Sequence, residues 1–199
     1  MHEETKVILA ITRVLETLSV PYYLGGSWAV SAYGFPRSTL DVDIIADLKA
    51  KHVDPLVTAL KSQFYINPGL IRKARRLQHP FSIFHLAHFF KVDLFSAGSS
   101  PFKRIQMSRR QKVPLEPDLP TQVYFCSSED IILEKLAWFH LGGKTSERQW
   151  LDVRGVLKVQ QPTLDYDYLR QWAGELGVAG LLACAMDEAF GEGYTGERV

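Results

Sequence analysis

The chain has 199 residues, 46% hydrophobic and 23% charged, with 23 Lys and Arg against 22 Asp and Glu. That composition belongs to a globular chain able to bury a core, and it excludes a disordered or fibrous protein. No run approaches the roughly 18 uninterrupted apolar residues of a membrane span, and the opening Met1-His2-Glu3-Glu4 is acidic where a secretory leader begins basic, so a cytoplasmic chain without membrane contact is expected.

Val7, Ile8, Ile11, Val14, Leu15 and Leu18 fall at helical spacing and predict an amphipathic helix over 3–18, ended by Pro21. A short buried strand over 21–24 follows, then Gly25-Gly26-Ser27 and a helical turn or two over 28–33, which together make strand, glycine turn and helix. Residues 41–46, Asp-Val-Asp-Ile-Ile-Ala, alternate carboxylate and apolar side chain and then turn fully apolar, as a strand with one end in a cleft would. Helical spacing returns over 51–64, and 69–78 reads as a short basic helix. Residues 81–86 and 90–95, rich in aromatic and β-branched side chains, predict a hairpin or two neighbouring strands. Further strand is expected over 109–115 and 122–126, broken by Pro114, Pro117 and Pro120.

From Ser127 the strands stop. Ser127 or Ser128 caps a helix over 131–138, with Glu129 and Asp130 in its first turn. Three more helices are expected over about 146–159, 165–176 and 178–190, and a frayed tail over 191–199. The fold class is therefore α+β: a small mixed sheet with flanking helices over 1–126, followed by a helical unit over 127–199. Cys126 and Cys184 stand in apolar surroundings without metal-ligand spacing, against a zinc site or disulfide scaffold.

Charge is unevenly spread. Residues 69–112 hold ten Lys and Arg and one acid, Asp93, which is either a solvated face or a place for an anionic partner such as RNA.

The chemistry centres on carboxylates. Asp41 and Asp43, at i and i+2 on a strand, point to one side and repel unless a cation lies between them. A second such pair, Asp165 and Asp167, sits after Pro162 where acids favour a helix start. Asp93 lies among Phe, Val and Leu, where a lone charge is costly unless it is paired with Lys91 or an arginine, or binds a metal. Three oxygen ligands from neighbouring strands would suit Mg2+. The Gly25-Gly26-Ser27 turn would let main-chain N–H groups approach a phosphate at a helix N-terminus, although it carries neither a Walker nor a dinucleotide fingerprint. His85 and His88, three apart in a strand or turn, need not face one site. Trp138, Trp150 and Trp172 fall in helical patterns and read as core.

Taken together, Leu24-Gly25-Gly26-Ser27, Arg37-Ser38-Thr39-Leu40-Asp41-Val42-Asp43 and Val92-Asp93-Leu94-Phe95 resemble the minimal-type nucleotidyltransferases of the polymerase-β-like superfamily. The nearest likeness is to the AbiEii-type toxin branch, whose Glu-Asp-x-x-x-x-Lys-Leu helix is similar to residues 129–136 and whose later Asp matches Asp152. The resemblance covers about 20–157. It implies Asp41, Asp43 and Asp93 as Mg2+ ligands and catalytic groups, with Asp93 activating the attacking hydroxyl. It also implies Gly25, Gly26 and Ser27 on the nucleotide phosphates, with Lys135 reaching the triphosphate. Arg37 either touches phosphate or pairs with an acid, Lys135 is otherwise a surface lysine, and Asp152 is otherwise the helical partner of Arg148. The implied activity is Mg2+-dependent transfer of a nucleoside monophosphate from an NTP to an acceptor hydroxyl. RNA or tRNA is the favoured acceptor, a small antibiotic the alternative, and an antitoxin a possible protein partner. A catalytically silent binding module is the reading from another class.

Overall fold

The amphipathic start of the chain is helix α1 (Glu3–Thr17), whose Val7, Ile8, Ile11 and Leu15 are buried along one stripe. In the computed structural model, which describes residues 2–116 and 119–191, α1 belongs to the first of two units. That unit comprises the chain up to Trp28 together with Ser38–Cys126. The second comprises Ala29–Arg37 and the chain from Ser127 onward.

The first unit is built on a mixed sheet of β1 (Tyr22–Leu24), β2 (Asp41–Ala46), β3 (Phe64–Tyr65), β4 (Phe81–His85), β5 (Lys91–Ser96), β6 (Gln111–Pro114) and β7 (Gln122–Phe125). Their spatial order is β3-β4-β5-β2-β1-β7-β6. The β2/β5 and β1/β7 pairs are parallel and the others antiparallel. Alternation does the sorting: Val42, Ile44, Ile83, Val92 and Leu94 turn to one face and are buried, while Asp41, Asp43, Lys91 and Asp93 turn to the other. Helices α3 (Val53–Leu60), α4 (Pro68–Leu77) and α5 (Pro101–Arg109) complete the unit, with a short 3-10 turn over Ala50–His52 ahead of α3.

Three elements of this unit differ from the sequence expectation. The helix expected over 51–64 ends at Leu60, and Phe64 instead pairs in β3 with His85 and buries its ring edge-on, centroids 5.1 Å apart. Its helical spacing from Leu60 was coincidental, because the partner that buries it comes from the sheet edge. Helix α5 had no counterpart in the expectation: it buries only Phe102 and Gln106, too little for a visible period, and its signals are local. Ser100 accepts the Lys103 N–H and Pro101 takes the first turn. The strand expected over 109–115 accordingly starts later, at Gln111.

Helix α2 (Gly26–Tyr33) crosses the division between the units after Trp28. The second unit otherwise consists of α6 (Ser128–Leu141), α7 (Glu147–Gln160), α8 (Tyr166–Glu175) and α9 (Ala179–Phe190). Ser127, Ser146 and Asp165 cap α6, α7 and α8 by accepting the N–H groups of Asp130, Gln149 and Tyr168. Two buried acids tie α6 to the start of α8. Glu129 accepts the Asp165 N–H at 3.0 Å, and Asp130 accepts the Tyr168 hydroxyl at 2.6 Å.

Trp138 is 59% exposed rather than core, because α6 buries the stripe Ile131, Ile132, Leu133 and Leu136 and the indole falls outside it. Trp150 and Trp172 are half-buried, and Trp150 donates to Glu188. Cys126 is buried; Cys184 is exposed rather than in apolar surroundings, and both are free thiols. The expected break at Pro117 and the expected fraying beyond Gly191 lie outside the described residues. Among the described residues no helix is long and apolar enough to cross a membrane.

Candidate active site

The acid-bearing face follows from register. Parallel pairing of β2 with β5 sets Asp43 beside Asp93 and Asp41 beside Lys91, and paired residues share a face. The Thr39 hydroxyl donates to Asp41 Oδ1 at 2.9 Å, and Trp28 Nε1 donates to the Asp41 carbonyl at 3.1 Å, which fixes the start of the strand. Asp93 receives two donors, Ser82 Oγ on Oδ1 at 2.5 Å and Lys91 Nζ on Oδ2 at 2.6 Å. The hydrogen bond that Lys91 donates to Asp93 and the charges of Asp93, Asp41 and Asp43 hold the Lys91 ammonium above the ordinary lysine range, so Lys91 remains a cation among three carboxylates.

The glycine turn lies against the same carboxylates. Gly25 N–H donates to the Asp43 carbonyl at 3.0 Å, which binds the turn to β2. Gly26 has φ +54°, and a Cβ there would fall 1.8 Å from Asp43 Oδ2. Only glycine fits at this position, for two independent reasons: the left-handed backbone and the adjacent carboxylate. Ser27 follows in the first turn of α2.

These residues fit a divalent ion by chemistry, since they offer hard carboxylate oxygens beside a backbone that approaches without a side chain. Their side chains are not gathered around one point: among the described residues no three His, Cys, Asp or Glu are placed to hold a metal ion. Asp93 is turned instead to Ser82 and Lys91.

Arg37 and Lys135 belong to the second unit. Arg37 grips Asp152 with a two-pronged contact, Nε to Oδ1 at 2.9 Å and Nη2 to Oδ2 at 3.0 Å. Lys135 Nζ lies 3.0 Å from the same Oδ2. Asp152 is 5% exposed and Lys135 14%, so neither is a surface group. The partners of Asp152 are thus Arg37 and Lys135, both distant in sequence, in place of its helical neighbour Arg148.

The basic stretch is divided rather than gathered. Helix α4 packs on β4 and exposes Arg72, Lys73, Arg75 and Arg76, with Arg72 bonded to Asp54. Arg110 and Lys112 lie over the Tyr124 ring at the β6/β7 edge. Five strand spacings, about 24 Å, separate β4 from β6. The His85 and His88 rings, not expected to share a site, are stacked at 4.9 Å with 6° between planes, and His88 Nε2 lies 3.0 Å from Glu3.

Sequence reasoning did not single out Ser82 and Thr39 as partners of the acids. Thr39 was visible two residues before Asp41, whereas Ser82 becomes a neighbour of Asp93 only through the antiparallel register of β4 and β5.

Solved structures of nucleotidyltransferases share this fold. The chain is similar to ANT(2'')-Ia in complex with adenylyl-2''-tobramycin, with TM-score 0.57 and 11% identity over 88% of this chain and 98% of that one. It is also similar to an antigenic nucleotidyltransferase-like protein from Paracoccidioides brasiliensis, with TM-score 0.55 and 16% identity over 92% and 93%. The lincomycin-bound lincosamide antibiotic adenylyltransferase LnuA matches with TM-score 0.51 and 17% identity over 80% and 98%. No family profile matches the chain, and no curated protein sequence matches it significantly.

Proposed function

We propose that the chain is a Mg2+-dependent nucleotidyltransferase that moves a nucleoside monophosphate from an NTP to the hydroxyl of a small acceptor. The observation that carries this reading is Gly26. Its Cβ-free backbone is pressed against Asp43, on the strand that brings Asp41 and Asp43 beside Asp93. A nucleotidyltransferase fold supports it.

In this reading Asp41 and Asp43 hold the divalent ion, and Asp93 joins them. The ion, when bound, supplies positive charge to the phosphoryl oxygens. Gly25, Gly26 and Ser27 present the turn and the N-terminus of α2 to the phosphates. The acceptor oxygen forms a bond to the α-phosphorus, the bond from that phosphorus to the bridging oxygen breaks, and pyrophosphate leaves. Asp93, oriented by Ser82 and Lys91, takes the hydroxyl proton. Arg37 and Lys135 are proposed as phosphate ligands whose charge is shared with Asp152. A polynucleotide acceptor is the second reading. The exposed basic residues of α4 favour it, and the separation of the other basic residues at β6 weighs against it.

Thermal unfolding with Mg2+ and each NTP, on wild type and Asp43→Asn, tests the nucleotide site. At one hundred times the dissociation constant the ligand adds about 2.7 kcal/mol, so a clear rise in melting temperature is expected for wild type with at least one NTP. Asp43→Asn should lose that rise without losing stability of its own. Wild type that responds to no NTP would overturn the reading.

A further inference from the structure

The strand order divides the acid-bearing face into two sides. The glycine turn follows β1, on one flank of β2; on the other flank come β5, β4 and then β3. Register runs two continuous rows across that second flank. Asp43, Asp93 and Ser82 make one, and Asp41, Lys91, Phe84 and Tyr65 make the other. The rows share a face, because residues paired across strands and residues two apart along a strand point the same way.

The far end of the second row is unusual for a sheet. Phe84 is 40% exposed and Tyr65 63%, while Phe64 and Ile83 beside them bury their side chains on the opposite face. Two aromatic positions are therefore paired across β3 and β4, open to solvent, at two and three strand spacings from Asp41, about 10 and 14 Å. Charge narrows what such rings would hold. The face carries Asp41, Asp43 and Asp93 against Lys91, and its β4 and β3 positions add the uncharged Ser82, Phe84 and Tyr65. The other basic residues of 69–112 lie outside β2, β3, β4 and β5. A polyanion laid over the rings would meet one ammonium, Lys91, already held by Asp93, against three carboxylates. A neutral or cationic molecule would meet complementary charge and two ring faces suited to sugar C–H groups or an ammonium.

We propose that Tyr65 and Phe84 form the acceptor subsite. It takes a neutral or cationic, ring-bearing polyol of the sugar or aminocyclitol class, which rests on the rings and directs its hydroxyl to Asp93, while the nucleotide occupies the glycine-turn side. The assignment rests on the nucleotidyltransferase reading and names its substrate class.

Calorimetric titration of the full chain, loaded with Mg2+ and a non-hydrolysable analogue of the NTP it binds best, tests this with tobramycin, lincomycin and oligouridylate as probes. At least one of the two small probes should bind wild type. Tyr65→Ala and Phe84→Ala should each weaken it about tenfold, the scale of one ring contact to a cation or sugar, with nucleotide affinity unchanged within about twofold. Should Phe84→Ala melt early, Phe84→Leu keeps the apolar bulk without the ring face and should show the same loss.

If wild type binds nucleotide but neither small probe, or binds a probe equally well without the rings, the subsite is wrong and the enzyme reading stands. Oligouridylate binding that disappears with the rings would overturn the substrate class. A dimer that dissociates in both variants would make the rings an interface between copies and overturn the subsite. Failure of wild type to bind any nucleotide would overturn the enzyme reading together with the subsite.

Discussion

Two charged clusters, one in each unit, are built from the same residue types with opposite balance. On the sheet of the first unit, three carboxylates share one ammonium, Lys91, which is 40% exposed. In the second unit, two cations converge on one carboxylate, and that carboxylate, Asp152, is 5% exposed. A buried acid held by a two-pronged arginine and a lysine is satisfied by its own chain. The sheet face carries three carboxylates to one ammonium, and their mutual repulsion gives it an affinity for a further cation. An Asp beside a basic residue therefore has two meanings here, and the count of charges and their burial decide between them.

The comparison would break first at Gly26. Gly26→Ala would place a left-handed Cβ, costing about 1–2 kcal/mol in backbone alone, where Asp43 Oδ2 now lies. The expected result is an affinity for Mg2+-NTP at least about 10³-fold weaker, equivalent to about 4 kcal/mol at 1.36 kcal/mol per tenfold, read by calorimetry. Unchanged nucleotide affinity would mean that the turn does not approach the phosphates. Asp152, the acid of the second cluster, should respond in stability. Asp152→Ala removes the carboxylate that two partly buried cations share, and loss of one partner of such a pair costs about 3 kcal/mol. Chemical denaturation should register it as a lower midpoint at constant slope. A midpoint equal to wild type would mean that the Arg37 and Lys135 contacts contribute nothing to the fold.

Much of this was legible in the sequence, and the boundary is physical. Local signals carried α1, β2, the β4/β5 hairpin and the caps of α6 and α8, because helical or alternating spacing and a capping side chain all lie within one element. The glycine turn and the three acids were also legible, since they lie on short strand and turn segments with a recognisable order. Pairings made by register were not. That Lys91 faces Asp41 depends on a parallel ladder between residues fifty apart, and the Arg37–Asp152 contact spans 115 residues. The aromatic pair is of the same kind: Tyr65 fell between two expected helices, and Phe84 was one apolar residue of a strand, until β3 set them side by side.

The smallest expected effect separates the clusters most finely. Lys91 partly neutralises the acid face, so it competes with any cation for Asp93 and at the same time keeps that carboxylate oriented. Lys91→Met removes the competitor and leaves three acids in mutual repulsion. In EDTA the variant should melt slightly below wild type. On adding Mg2+ it should recover more than wild type gains, with Mg2+ affinity about tenfold tighter, a difference near 1.4 kcal/mol. Lys91→Arg, which keeps the charge, should behave as wild type. Asp152→Ala, however unstable, should show the wild-type response to Mg2+, because its charge balance has no surplus of acid. A weaker Mg2+ response in Lys91→Met would reverse the assignment: Lys91 would then be the group that holds Asp93 ready for the ion rather than the one that takes its place.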